Sequence, residues 1–356
     1  MDVEFKHTLS ESEREEVAAF QDSLTFAALE QYPDWGSVVE FSGRVCHFTA
    51  RESGVIVCYA LVFERLINVA LVEFGPLGSD PKVLAESIRH IHNHYRRRGF
   101  LGVHMQPSLP AGEPSAILER EIRGYPELVP CLRRGDQWCT LVIDMRQDVE
   151  QIYKRFSKGH RSAIRRAAKE GMIARPVQDE GELHAFLDIF VKMHRARRLH
   201  LDVGPTRHVL ARLWVFLSDR RMGHFLIVTD SSGKVYGGIV IARQGRAMRY
   251  YKGAADPDQR HRSLLHTALS EGIRMAGDAG VDRFDLWGYN PRAQRGDQQY
   301  GINTFKKGFG GEPLCYTEPI DLVIRPVRYR LVNTVWPLLK PCAGLLRPVL
   351  KPFVLK

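Results

Sequence analysis

Between residues 224 and 287 the chain presents an order of elements that few folds accept. His224-Phe225-Leu226-Ile227-Val228-Thr229 and Tyr236-Gly237-Gly238-Ile239-Val240-Ile241-Ala242 are apolar runs rich in β-branched residues, each the length of a buried strand. Asp230-Ser231-Ser232-Gly233 between them has turn chemistry. Arg249-Tyr250-Tyr251-Lys252-Gly253 reads as a third strand, Leu264 to Ala279 as a helix, and Arg283-Phe284-Asp285-Leu286-Trp287 as a fourth strand. Three antiparallel strands, a helix and one more strand make an α/β (α+β) unit with a mixed, mainly antiparallel sheet.

A shorter version of the same order occupies the first third. Val55 to Phe63 and Val69 to Phe74 read as paired strands, and Gly75-Pro76-Leu77-Gly78 as the turn that closes them. From Asp80 the spacing of Val83, Leu84, Ile88 and Ile91 is helical, and Arg97-Arg98-Gly99 supplies a cationic last turn and a glycine stop. Leu101 to Pro107 is the next strand. A chain of 356 residues exceeds one ordinary core. It therefore divides into two related units, 1–147 and 148–321, with the boundary near Met145–Val149, followed by a tail, 322–356.

The formal net charge of +10 favours anionic partners. Much of the excess lies on a helix pair from Val149 to Gly171, where Arg161, Arg165 and Lys169 make a surface for phosphate or RNA. The tail has no acid after Asp321 and carries Arg325, Arg328, Lys340, Arg347 and Lys351 among Leu, Val, Trp and Phe. Four prolines from Pro337 to Pro352 exclude one long helix. Such a segment suits either peripheral contact with an anionic inner membrane surface or packing back onto the first unit. The N-terminus is rich in Glu, and no apolar run is long enough to cross a bilayer. The six cysteines form no C-x-x-C pair, so a reducing, cytoplasmic compartment is expected and no metal.

Phe305-Lys306-Lys307-Gly308-Phe309-Gly310-Gly311 reads as a basic hairpin in which rings alternate with ammonium groups and bare backbone, a combination able to hold an anion. There is no G-x-S-x-G elbow, no H-E-x-x-H, no Walker A loop and no Rossmann fingerprint, so neither covalent catalysis nor a bound cofactor is expected. His194 and His200, flanked by Arg195, Arg197 and Arg198, read as a solvated helix end.

Several separated segments together resemble the FemABX (Fem-type) aminoacyltransferases, which are built as two tandem acetyltransferase-like (GNAT-like) domains. The segments are Phe74-Gly75-Pro76, Val103 to Pro107, Arg161 to Gly171, Tyr250-Tyr251, Phe284 to Gly288, and Phe305-Lys306-x-x-Phe309-Gly310. The resemblance implies transfer of an amino acid from aminoacyl-tRNA to the amine of a UDP- or lipid-linked muropeptide stem. It favours Lys306 over Lys307 as the working ammonium. Tyr250 or Tyr251 would donate to the acyl oxygen, Asp285 would orient an amine, and Phe305, Phe309, Gly310 and Trp287 would wall the site. Arg161, Arg165, Lys169, Arg260 and Arg262 would meet phosphates. An acyl-CoA-dependent N-acyltransferase of the exopolysaccharide-associated group is the alternative. Such enzymes carry Arg/Gln-x-x-Gly-x-Gly/Ala where the third strand meets its helix, and here Gln259 to Leu264 puts Arg262 and Leu264 at the glycine positions. A non-catalytic tRNA- or envelope-binding protein of the same fold is a third reading, one in which Lys306 is dispensable.

Overall fold

The computed structural model describes residues 1–65, 68–128, 130–132, 138–198 and 201–329. The chain forms two compact units. The first takes Met1–Trp138 and the chain from Cys315 onward, and the second takes Cys139–Leu314.

In the first unit, β1 (Asp2–Lys6), α1 (Glu11–Ser23), α2 (Trp35–Val38), β2 (Arg44–Glu52), β3 (Val55–Glu64) and β4 (Val69–Val72) precede α3 (Pro81–Arg97). Then come β5 (Gly102–Met105), α4 (Glu113–Arg123) and β6 (Pro130–Leu132). β1 to β4 are antiparallel neighbours, whereas β4 and β5 run parallel across the α3 connection. α3 starts where Asp80 accepts from Lys82 N at 2.7 Å and Pro81 fills a position that needs no N–H. It stops at Gly99, whose φ of +77° is open to glycine. Its apolar face, with Leu84, Ile88 and Ile91, packs with Phe48, Ala60, Val62 and Val103 in one core.

A polar contact inside this unit sets the turn after β4. Gln31 is fully buried, and its side chain takes the N–H of Leu61 at 2.7 Å and donates to Leu61 O and Glu73 O at 3.3 and 2.6 Å. A Cβ at Gly75 would lie 2.6 Å from Gln31 Cδ, so the turn requires glycine for space.

The second unit runs β7 (Cys139–Asp144), α5 (Val149–Arg155), α6 (Lys158–Lys169), β8 (Ile173–Pro176), α7 (Glu180–Ala196) and α8 (Val203–Asp219). It continues with β9 (Gly223–Thr229), β10 (Val235–Gln244), β11 (Ala247–Ala255), α9 (Leu264–Asp278), β12 (Arg283–Asp285), α10 (Gln298–Lys307) and β13 (Glu312–Cys315). The sheet order is β13-β7-β12-β11-β10-β9-β8. β11 and β12 are parallel across α9, the counterpart of β4 and β5 across α3. Both units are thus mixed, mainly antiparallel sheets flanked by helices.

The structure differs from the expected division in two places. The strand Cys139–Asp144 belongs to the second unit, ahead of the expected boundary. The strand Ile320–Val323 returns to the first sheet, pairing antiparallel with β5 and with β6 across the expected limit at 321. His104 Nδ1 lies 2.5 Å from Asp321 Oδ1 and pins that pairing. Such a partner, far along the chain, leaves no mark in local spacing. Of the tail, residues 330–356 lie outside those described. Cys46 and Cys58 are free and buried, whereas Cys139 and Cys315 are disulfide-bonded, against the thiols expected of a reducing compartment. Pairing between distant cysteines is not readable from spacing. Among the described residues no helix is long and apolar enough to cross a membrane.

Replacing Gln31 by Leu leaves three buried backbone groups without their partner. Chemical denaturation is expected to show a loss of about 2–5 kcal/mol for the first unit, since each orphaned group costs about 1–3 kcal/mol before relaxation. A loss below about 1 kcal/mol would mean that the turn does not depend on this side chain.

Candidate active site

β11 and β12 stay paired for only three residues, Ala247 with Arg283, Met248 with Phe284 and Arg249 with Asp285. β12 then ends, while β11 continues to Ala255 against β10. The two parallel strands therefore part in the middle of the sheet. On the β11 side the register slips between Val240 and Ile241, so that Tyr250 faces Ile241, Lys252 faces Val240 and Tyr251 is the extra residue of a bulge. On the β12 side Trp287 and Gly288 have φ of +54° and +55°, which swings the chain away.

Lys306 sits at this parting. It is 8% exposed, and its Nζ donates to the carbonyl of Trp287 and, at 2.9 Å, to that of Gly288. Burial pushes its pKa down to about 8, with the Asp285 carboxylate acting the other way. The ammonium is 5.8 Å from the Tyr250 ring centroid. Tyr250 is pushed up to about 12 by burial, so its hydroxyl keeps its proton. A Cβ at Gly253 would lie 2.3 Å from that hydroxyl, and the missing side chain is what seats it.

Trp287 is held at three points. Asp285, itself buried, accepts from Trp287 N at 2.7 Å and from the Thr140 hydroxyl. Lys306 takes its carbonyl. The Arg249 guanidinium lies 3.4 Å from its ring centroid, a cation–π stack. Further along the loop, Asn303 donates to Asn290 O at 2.7 Å and Gln299 reaches Gly288 O at 3.4 Å. Gln299, Asn303 and Lys306 are spaced four and three apart, so one face of α10 carries the whole loop.

Phe305–Gly311 is therefore the C-terminal turn of a helix and its exit, not the hairpin expected. Successive residues of a helix point apart, which explains why Lys306 is buried while Lys307 is exposed, 5.3 Å from the Tyr289 ring centroid. The same geometry corrects Phe309. It is fully buried against Phe156 at 5.1 Å between centroids and belongs to the core rather than to an open wall. Gly310, with φ of +80°, turns the chain out of α10 beside Arg155. Phe305 is half-buried and touches two histidines that local sequence does not single out, His160 at 5.6 Å and His266 at 5.0 Å. His160 Nε2 donates to Phe305 O at 2.8 Å, and burial, with smaller contributions from His160 and Arg166, holds His266 down to about 4.

The basic helix pair separates into used and free cations. Arg161 donates to Lys154 O and Phe156 O, ending α5, and so does not face a ligand as expected. Arg166 reaches Ser263 Oγ at 2.9 Å and His261 O at 3.2 Å. Lys158, Arg165 and Lys169 are exposed, with no side-chain hydrogen bond or ion pair to any described residue. Arg262 stacks on Tyr236 at 4.9 Å. The Arg260 side chain and His200 lie outside the described residues, and Tyr251 packs beside Lys252 at 5.2 Å. His194 Nδ1 donates to Phe190 O, 2.9 Å away, near the end of α7. Ser263, the residue between Arg262 and Leu264, starts α9 with φ of +54°, a conformation that glycine adopts without strain.

Residues 154–301 match the acetyltransferase (GNAT) domain family. No curated protein matches the sequence. Among solved structures, FemX is similar over 92% of this chain and 99% of its own, with a TM-score of 0.76 at 13% identity. The C-terminal domain of a putative lysylphosphatidylglycerol synthetase from Agrobacterium fabrum is similar over 92% and 97%, with a TM-score of 0.55 at 11% identity. A tandem GNAT protein from the clavulanic acid biosynthesis pathway covers 91% and 99%, with a TM-score of 0.53 at 11% identity. Residues 154–301 thus match the acetyltransferase (GNAT) domain family, and the chain has the fold of FemX and of the tandem GNAT protein.

Proposed function

We propose that this chain is an acyltransferase whose second unit moves an aminoacyl group from aminoacyl-tRNA to the amine of a peptidoglycan-precursor stem peptide. The observation that carries the reading is the buried Lys306 ammonium at the parting of β11 and β12. An ammonium has three N–H donors, and two are on Trp287 O and Gly288 O. The third is left to a substrate oxygen.

Aminolysis of an ester needs orientation and charge stabilisation rather than a covalent intermediate. The acceptor nitrogen bonds to the acyl carbon, the ester C–O bond breaks, and the proton lost by the amine leaves with the ribose hydroxyl. Negative charge gathers on the acyl oxygen in between. Lys306, desolvated and anchored, stabilises it without having to reorganise, and the protonated Tyr250 hydroxyl is a second donor nearby. Lys158, Arg165 and Lys169 offer phosphates a sequence-independent hold, as a charged tRNA requires. The side chains of Arg262 and Leu264 at the cradle positions favour this donor over acyl-CoA. The likeness in fold to FemX supports a muropeptide acceptor, UDP- or lipid-linked.

Incubation of the full chain with charged tRNA and a UDP- or lipid-linked muropeptide is expected to give an aminoacylated stem. Parallel incubations with acyl-CoA, and with phosphatidylglycerol as acceptor, are expected to give no product. Transfer only from acyl-CoA, or only to the lipid, would replace this reading, and no transfer from any donor would favour a binding role. Lys306→Ala should lower kcat roughly a hundred- to thousandfold, the cost of removing one preorganised donor to an oxyanion. Lys307→Ala should be within about twofold of the parent, for its exposed ammonium has only the Tyr289 ring as a neighbour and is turned away from the Lys306 site.

The pH dependence has a defined sign. The acceptor must be a free amine and Lys306 an ammonium, so the rate should rise with pH as the acceptor deprotonates, and its slope should drop by one unit at a Lys306 pKa of about 8. Asp285 raises that pKa, so Asp285→Asn should move the break to lower pH. A break that stays in place in this variant would assign the titration to another group.

A further inference from the structure

A pocket of about 560 Å³ opens on the first unit, at the end of the sheet where β3 turns into β4. Arg44, Arg65 and Arg98 line it, with Asn68, Phe100 and a single acid, Glu64. It lies beyond the start of β4, opposite to the Gly75–Pro76 turn that follows that strand's end. The one carboxylate is already committed. Arg98 holds both oxygens of Glu64 in a fork, and Tyr95 donates to Oε1 at 3.2 Å. Arg98 is further fixed between the Tyr95 and Phe100 rings, at 5.5 and 5.2 Å. Arg44 comes no closer than 3.7 Å to Glu64 and is largely exposed. Arg65 is desolvated, and its buried Nε has no hydrogen-bond partner. A buried donor of this kind is costly unless something accepts from it.

The sign of the ligand follows from these contacts. His7, Cys46 and Glu64 bring a nitrogen, a sulfur and a carboxylate oxygen within 4.8 Å of one another. Two guanidinium groups beside that carboxylate make it a poor cation site, and the arginines outnumber the acid three to one. Planar guanidinium forks match phosphate oxygens. The protein itself indicates where such a group would come from. Ile324 N and Arg325 N both donate to Leu101 O, and Tyr329 packs on Val69 and Leu101, next to Phe100 and Asn68 of the pocket. From that point the sequence continues for 27 residues, 330–356, with Arg330, Lys340, Arg347, Lys351 and Lys356 among apolar residues and no acid. The arginine-lined pocket and Tyr329, the last described residue before that basic stretch, lie at the same end of the first unit.

We infer that the Arg44–Arg65–Arg98 pocket is a receptor for a phosphate group, and that an anionic phospholipid headgroup supplies it. The pocket holds the headgroup, and the basic and apolar composition of the sequence after Tyr329 is of the kind an anionic lipid surface attracts.

The test uses the full-length protein and the double variant Arg44→Gln, Arg65→Gln. These substitutions leave the Arg98–Glu64 fork in place, and matching thermal unfolding checks the fold. On vesicles of phosphatidylcholine with phosphatidylglycerol, the variant is expected to bind about thirtyfold more weakly than the parent, from about 1 kcal/mol for each cation removed. Neither protein should bind vesicles of phosphatidylcholine alone. Inorganic phosphate should shift the Arg65 Nε–Hε signal of the parent, assigned by its loss in Arg65→Gln. A phosphate-induced shift together with unchanged vesicle affinity would keep the phosphate pocket and overturn the lipid as its source. Unchanged vesicle affinity with no effect of phosphate would overturn the inference entirely.

Discussion

The Lys306 ammonium gives up bulk water for two backbone carbonyls, and the exchange has a cost that the surrounding residues have to meet. A shift from 10.5 to about 8 corresponds to about 3 kcal/mol against the charged form. Three features oppose it. The carbonyls of Trp287 and Gly288 accept its protons, the Asp285 carboxylate attracts its charge, and its place in the last turn of α10 puts it at the negative end of a helix. They leave the group charged near neutral pH but only just, which is the condition in which a lysine stabilises charge and still responds to its neighbours.

Those neighbours form one coupled device. A tryptophan with φ of +54° is in a region that side chains other than Gly, Asn and Asp rarely enter, at a cost of order 1–2 kcal/mol. It stays there because Arg249 stacks on its ring, Asp285 takes its N–H and Lys306 takes its carbonyl. Each of the three contacts presents Trp287 to the other two. A change at Arg249 or Asp285 therefore also reaches the ammonium through the backbone it grips. The parting of β11 and β12 is what makes room for this arrangement, since paired strands would have used the same carbonyls in a ladder.

Local chemistry in the sequence carried much of this. Strand and helix order from His224 to Trp287 followed from apolar periodicity, and the α3 boundaries from Asp80 and Gly99, whereas the elements between Ile173 and Asp219 were not read. What sequence could not supply was information held at long range. Phe305 to Gly311 has the composition of a hairpin, and only α10 as a whole, with Gln299, Asn303 and Lys306 on one face, makes it a helix end. Phe309 looked like a wall because aromatic residues serve equally as walls and as core. The fully buried Arg249 carries no mark in a strand of tyrosines and a lysine. The strand at Ile320–Val323 pairs with β5, hundreds of residues earlier, so no window of sequence could place it.

Charge was the least legible property, and the structure sorts it. Arg161 and Arg166 occupy the same helix as Arg165 and Lys169, and sequence gives all four the same standing. Two of them close carbonyls and a serine hydroxyl of the fold, so their charge is tied to structure. In the first unit Arg98 grips both oxygens of Glu64, Arg44 approaches it only to 3.7 Å, and Arg65 leaves its Nε without a partner. A net charge of +10 therefore says little by itself about partners. The cations that bear on partners are those left after the fold has taken its share. On α6 these include Lys158, Arg165 and Lys169, with Lys306 buried apart from them. In the first unit Arg65 keeps an unbonded Nε in a pocket whose acid Glu64 is already paired. On the two readings proposed, such cations serve two different anions.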